Sequence, residues 1–320
     1  MQFYIPQGSE KSEETRMVQD QQASNQAPLF SIIIAVYNDW AMLQGCLQSL
    51  ARQTGGSSFE VIVVDDGSTE PPPEFIRSSS FSYPLVAIQQ PHSGIPAARN
   101  TGIRSSKGAV LLFVDADSRL QAGCLAALGS AIANAPQHDC FQLRLVGNGS
   151  NLVGRAEELR LITFQQYMLQ PDLRIRYLNT AGFAIRRTRV NIETGIFDPT
   201  ALRAEDTLLL ADLMQAGELP LFVTDAIVEH YIPLSLAACF RKDIRSAYLE
   251  GRTNSVISSK GVKIRLTHPE RLRLLAALWE TARQPSIGRS AWFVVVGRQA
   301  LLRTISFLYR CLRVGARKQA

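Results

Sequence analysis

Residues 29–40 read LFSIIIAVYNDW. The first eight form a near-continuous apolar run rich in β-branched side chains. A strand with one wet face alternates apolar and polar residues, whereas a strand covered by helices on both faces reads as this one does. Residues 40–52 follow, with Leu43, Leu47 and Leu50 at the spacings of four and three that make a helix stripe. The rhythm repeats, predicting strands over 59–64, 83–88 and 109–114 and helices over 96–105 and 121–135. Strands and helices alternating across short polar connections make parallel βαβ units, so the chain is expected to be α/β with helices on both sheet faces.

Beyond residue 139 the rhythm loosens. A strand is expected over 140–146, a helix over 153–168, a strand in NTAGFAIRR (179–187), and a helix over 204–216 closed by Gly217 as a C-cap. Short strands are expected near Leu221 and Val228, and from Leu234 onward the text reads as helical, with Pro285 and Gly288 separating two segments. The expected organisation is a disordered leader over 1–28, an α/β domain over 29–232 and a basic helical region over 233–320. The leader is rich in Gln, Ser and Glu and lacks the apolar core of a signal peptide, so the protein is expected to be cytoplasmic or peripheral on the cytosolic face of a membrane.

Composition agrees with a folded chain: of 320 residues, 46% are hydrophobic, which excludes general disorder. The net charge of +6 conceals an asymmetry. Residues 1–240 carry −7 and the last 80 carry +13, which points to an anionic partner at one end. The five cysteines are scattered and form no C-x-x-C pair, so neither a disulfide framework nor a zinc site is indicated.

In open parallel sheets, ligands bind beyond the carboxyl ends of the strands. Those positions are acidic here: Tyr37-Asn38-Asp39 after the first strand, Asp65-Asp66-Gly67-Ser68 after the second and Asp115-Ala116-Asp117 after the fourth. Crowded carboxylates repel unless a divalent cation, a raised pKa or a donor-bearing ligand relieves them. A D-x-D pair leaving a strand can place two carboxylates near one hard cation such as Mg²⁺ or Mn²⁺, or it can simply cap a turn. The first turn, AVYNDW, has no glycine, which removes both the dinucleotide-binding fingerprint and the P-loop.

Taken together, SIIIAVYND (31–39), CLQSLARQT (46–54), FEVIVVDDGSTE (59–70), SGIPAARNTGIRSSKGAVLLFVDADS (93–118), NTAGFAIRR (179–187), GIFDPTALRAEDTLLLADLMQAG (195–217) and EHY (229–231) resemble the family 2 glycosyltransferases. The resemblance covers about residues 29–231. It implies a GT-A fold, a Rossmann-like mixed sheet flanked by helices, with the basic helical region as a C-terminal extension. It also implies sugar transfer with inversion from a nucleoside diphosphate sugar, a UDP-sugar first, to an acceptor hydroxyl on a sugar or lipid-linked glycan in polysaccharide, cell-envelope or glycolipid biosynthesis. By the same resemblance, Asp115, Asp117 and His230 match the metal site for Mn²⁺ or Mg²⁺, with Asp115 also reaching the ribose. Tyr37 matches the aromatic under the base, Asp66 the carboxylate that accepts from the base, and Arg99 a basic residue near base or phosphates. Gly182 matches the glycine that lets backbone approach the donor, Asp206 the catalytic base and Glu205 a residue orienting the acceptor. Each has a structural alternative: a strand-end histidine, a turn cap, an arginine paired with an acid on a helix surface, a helix cap. A catalytically silent nucleotide-sugar-binding scaffold and a nucleotidyltransferase are the competing classes, and the latter expects a glycine-rich first turn.

The processive branch of the family carries Q-x-x-R-W after the base and trailing membrane helices, and neither stands here. Residues 287–317 hold an apolar stripe (Ile287, Val294, Leu301, Ile305, Leu308, Leu312) and an arginine face (Arg303, Arg310, Arg313, Arg317). Spanning needs about 20 largely apolar residues, so this segment is expected either to lie on an anionic membrane surface or to pack on the α/β domain or a partner subunit. No nucleic-acid partner is expected, because the tail's aromatics are scattered.

Overall fold

The computed structural model describes residues 27–77, 81–147, 151–201, 204–231, 266–317 and isolated positions from 235 to 264. The expected leader falls, apart from its last two positions, outside the described residues. So does most of 232–265.

Strand β1 (Phe30–Val36) is the spine. Its alternate residues serve two different cores. Phe30, Ile32 and Ile34 join Leu43, Leu47 and Leu50 of helix α1 (Trp40–Ala51) on one face. Ile33 joins Ala98 and Ile103 of α3 (Ile95–Ser105) on the other. That double burial is why the run carries no polar alternation. β1 pairs in parallel with β2 (Phe59–Asp65) and β4 (Val110–Phe113), and β2 with β3 (Leu85–Gln89), so the βαβ expectation holds for this half. A single-turn helix α2 (Glu74–Arg77) links β2 to β3.

The other half is mixed. Across the sheet the order is β3-β2-β1-β4-β7-β6-β8-β5. β7 (Phe183–Arg186) runs antiparallel to both β4 and β6 (Cys140–Gly147), β8 (Leu221–His230) runs parallel to β6, and β5 (Ser118–Leu120) runs antiparallel to β8. Three details depart from the sequence reading. Only the last part of 179–187 is a strand, because Thr180–Gly182 forms a 3-10 turn. The two short strands near 221 and 228 are one continuous β8, which absorbs a register shift opposite Leu143/Arg144 of β6. β5 is new, too short for any periodicity to show.

Helix α4 (Cys124–Asn134) covers the first core, α5 (Leu152–Met168) lies against β6, and α6 (Glu205–Gln215) closes on Gly217 at φ +79 as expected of a C-terminal turn. Two helices complete the described chain. α7 (His268–Ala282) opens on a capping box between Thr267 and Glu270, and α8 (Arg289–Arg317) follows Gly288. Both pack on α5. Ala156 and Leu159 of α5 share a buried cluster with Leu278, Ala282, Ile287, Ala291 and Val295. Buried Glu157 accepts from Arg160 Nε at 3.0 Å and is bonded to Arg298 through its other oxygen. The packing alternative for the tail therefore holds from Ile287 to Arg298. No described helix is long and apolar enough to cross a membrane.

Candidate active site

The direction of the strands places the candidate residues at one sheet edge. The carboxyl ends of β1, β2, β4 and β8 meet there, joined by the amino ends of β5 and β7. Antiparallel pairing sets Ser118 opposite His230, and Tyr231 N donates to the Asp117 carbonyl at 2.8 Å. Two segments remote in sequence are thereby zipped together, with ligand atoms of Asp115, Asp117 and His230 all within 4.8 Å of one another. His230 Nε2 lies 3.3 Å from Asp117 Oδ1, a buried oxygen that receives no hydrogen bond among the described residues. A buried carboxylate oxygen without a donor costs free energy that a cation would recover. One imidazole and two carboxylates in this cluster fit a hard divalent ion. Burial first, and then nearby Asp117, raise the pKa of Asp39, the residue before α1.

Arg99 is 3% exposed, on the inward side of α3 rather than on a helix surface. Its Nη2 donates to Asp115 Oδ1 at 2.7 Å and its Nη1 to Glu205 Oε1 at 2.9 Å, with Asp206 Oδ1 4.0 Å away. The planar fork of a guanidinium suits such bridging, which a point charge could not match. Arg99 thus joins the D-x-D turn to the start of α6. Asp206 also accepts from Thr180 Oγ1 at 2.8 Å. Burial, and then the Glu205 carboxylate, push Asp206 up to about 7 against the opposing pull of Arg99 and Thr180. A carboxylate poised there suits proton abstraction at neutral pH.

At the other end of the edge, Tyr37 is 44% exposed and stacks on His92, ring centroids 4.3 Å apart. Asn38 ties the first turn to the second: its amide donates to Ser68 Oγ at 2.9 Å and its Oδ1 accepts from Thr69 N at 2.8 Å. Asp65 Oδ1 accepts from Ser68 N at 2.9 Å, so this residue caps the DGST turn. Asp66 is buried and collects donors from Gln90, Ser93, Gly94 and His92.

Gly182 has a packing reason to be glycine. A Cβ there would stand 2.9 Å from Leu145 Cδ2 and 3.2 Å from Leu143 Cβ. Its carbonyl accepts from buried Gln142 Nε2 at 2.9 Å, and Gln142 Oε1 takes Asn179 N at 2.8 Å, fixing the turn that presents Thr180. Thr180, Gln142 and His92 are the participants the sequence reading missed. Each is a single polar residue in a loop or strand, and only tertiary proximity marks it.

A family model described as Glycosyl transferase family 2 matches residues 31–195. Among curated proteins, glycosyltransferase AglE of Haloferax volcanii is 43% identical over 93 residues, 28% of this chain and 31% of that protein. A PGL/p-HBAD biosynthesis glycosyltransferase of Mycobacterium bovis is 37% identical over 144 residues, 44% of this chain and 56% of that protein. The chain thus matches about half or less of the length of these relatives. Among solved structures, the mannosyltransferase PcManGT of Pyrobaculum calidifontis, in complex with GDP-Man and Mn²⁺, superposes with a TM-score of 0.56 at 17% identity, over 96% of this chain and 95% of that one. TarS 1-349 of S. aureus with UDP-GlcNAc gives 0.53 at 17% identity, over 88% and 91%. These likenesses bear out the GT-A arrangement, and the chain belongs to glycosyl transferase family 2.

Proposed function

We propose that this protein transfers a glycosyl group with inversion from a nucleoside diphosphate sugar, a UDP-sugar first, to a hydroxyl of a sugar or lipid-linked glycan in polysaccharide, cell-envelope or glycolipid biosynthesis. The observation that carries the reading is the juxtaposition of two centres across one buried arginine: Asp115, Asp117 and His230 on one side, Glu205 and Asp206 on the other. Neighbours of the same fold are described with UDP-GlcNAc and with GDP-Man and Mn²⁺, which supports a nucleotide-sugar donor and a divalent ion here.

Asp115, Asp117 and His230 would hold the ion, and Mn²⁺ or Mg²⁺ bound there supplies counter-charge for a diphosphate leaving group. The residues of the chain do the rest. Tyr37 and Asp66 hold the base by stacking and hydrogen bonding, and the turn at Gly182 lines the donor. Asp206 takes the proton of the acceptor hydroxyl as its oxygen bonds to the anomeric carbon and the bond to the diphosphate breaks, which inverts that carbon. Thr180 and Arg99 aim the Asp206 carboxylate, and Glu205, held by Arg99, orients the acceptor. The far end of α8, with Arg303, Arg310, Arg313 and Arg317, contacts an anionic membrane surface, keeping the protein peripheral on the cytosolic face.

A transfer assay across a panel of nucleotide sugars tests this. Asp206→Asn is expected to lower kcat by about 10²- to 10⁴-fold, the usual worth of a general base, with donor affinity preserved. Chelation of divalent ions is expected to abolish transfer, and adding Mn²⁺ to restore it. Activity within a few-fold of wild type in the variant would remove Asp206 from the mechanism, and activity that survives chelation would remove the metal.

A further inference from the structure

We propose that His92 is a place-holder for the donor's nucleobase, occupying both of its contacts in the free protein and swinging out when the nucleotide enters. The inference rests on the reading of Tyr37 and Asp66 as the base site and deepens it. The His92 ring does two things at once. It stacks on Tyr37 at a centroid distance of 4.3 Å and an interplanar angle of 27°, and its Nδ1 lies 2.9 Å from Asp66 Oδ2 and 3.0 Å from the Asp66 carbonyl. A flat ring on Tyr37 with one N–H aimed at Asp66 is also what a uracil presents.

Lone-pair counting makes displacement necessary. A carboxylate has about four acceptor positions, and those of Asp66 are taken. Oδ1 accepts from Gln90 Nε2 at 2.7 Å and Ser93 N at 2.9 Å, and Oδ2 from Gly94 N at 2.8 Å, with His92 as the fourth. A base N–H can reach Asp66 only if one donor leaves. Ser93 and Gly94 donate through backbone at the entry to α3, and Gln90 is held at its other end by Thr101 Oγ1, 2.6 Å from Gln90 Oε1.

His92 is the donor free to go, because its side chain is 58% exposed. Its backbone is fixed. Gly67, at φ +76, lets the β2 turn come so close that a Cβ there would stand 2.7 Å from His92 N. The imidazole therefore leaves by side-chain rotation alone, with no loop movement.

The proposal sets a sign. If His92 competes with the base, removing its ring tightens nucleotide binding; if it instead helps to hold the base, removal weakens it. Calorimetric titration of wild type, His92→Ala and Tyr37→Ala with UDP and with GDP, in MnCl₂, separates these. Expected is a dissociation constant about two- to tenfold lower in His92→Ala, the value of one hydrogen bond no longer competed for, and a higher one in Tyr37→Ala. An unchanged or raised constant in His92→Ala, with Tyr37→Ala weakened, overturns the place-holder and leaves the base site standing. Indifference of both nucleotides to Tyr37→Ala overturns the base site itself and the place-holder with it.

Discussion

Ala204 stands at φ 63 and ψ 32, a left-handed conformation that costs an L-residue with a Cβ roughly 1–2 kcal/mol. The backbone must turn there to start α6 with Glu205 and Asp206 facing Arg99. Ala204→Gly removes the strain and adds some unfolded-chain entropy, so a net stabilisation of about 0.5–1 kcal/mol is expected, read as a rise in melting temperature. An unchanged or lower melting temperature would show that the turn is not strained. Legibility at this scale divides by chemistry. Asp115 and Asp117 stand out only in company, because a D-x-D pair after a strand can equally cap a turn and gains meaning from the other motifs in order around it. Arg99 is visible as a residue type, but not as a buried bridge between three carboxylates. Thr180 and His92 carry no pattern, since a hydroxyl or an imidazole in a loop acquires meaning only from what lies 3 Å away.

Helix α5 is the element on which the tail is seated. Glu157 lies at that seam, 4% exposed. Burial opposes its charge, but Arg160 and Arg298 overcome this and hold its carboxyl down to about 2. A folded value below the unfolded one contributes stability that is complete above the ordinary value near 4.5 and lost as pH falls toward 2. Arg298→Gln is expected to cost about 1–3 kcal/mol at pH 7, less than breaking an isolated buried pair because Arg160 remains. The gap to wild type should narrow as unfolding is measured from pH 5 toward pH 2. A gap constant with pH would mean that Arg298 acts through packing alone. Elements were legible where a period repeats, as in α1, where an apolar run is nearly unbroken, as in β1, or where a glycine marks a helix end, as in α6. β5 was not, because three residues are too few, and the antiparallel sense of β7 was not, because strand direction leaves no mark in composition.

Across the whole molecule the charge asymmetry resolves in part. Carboxylates of the acidic body converge on one sheet edge, and the basic tail packs from Ile287 to Arg298, with Phe293 64% exposed and Arg303 exposed on α8. At about 1 kcal/mol per cation near an anionic surface, changing Arg303, Arg310, Arg313 and Arg317 together to Gln is expected to lower partitioning onto anionic vesicles about a thousandfold. Flotation measures it, and equal recovery of both proteins would confine the tail to intramolecular packing. The sequence by itself determined the α/β class, the run of parallel units and the family, because hydrophobic period and motif order are local and survive in one dimension. The resemblance already grouped Asp117 with His230; tertiary structure decided how they are brought together, that Arg99 spans two centres and that His92 lies on Tyr37 and Asp66. Those relations depend on strand order, on antiparallel zippering and on which lone pairs are already filled, and none of these is a property of neighbouring residues.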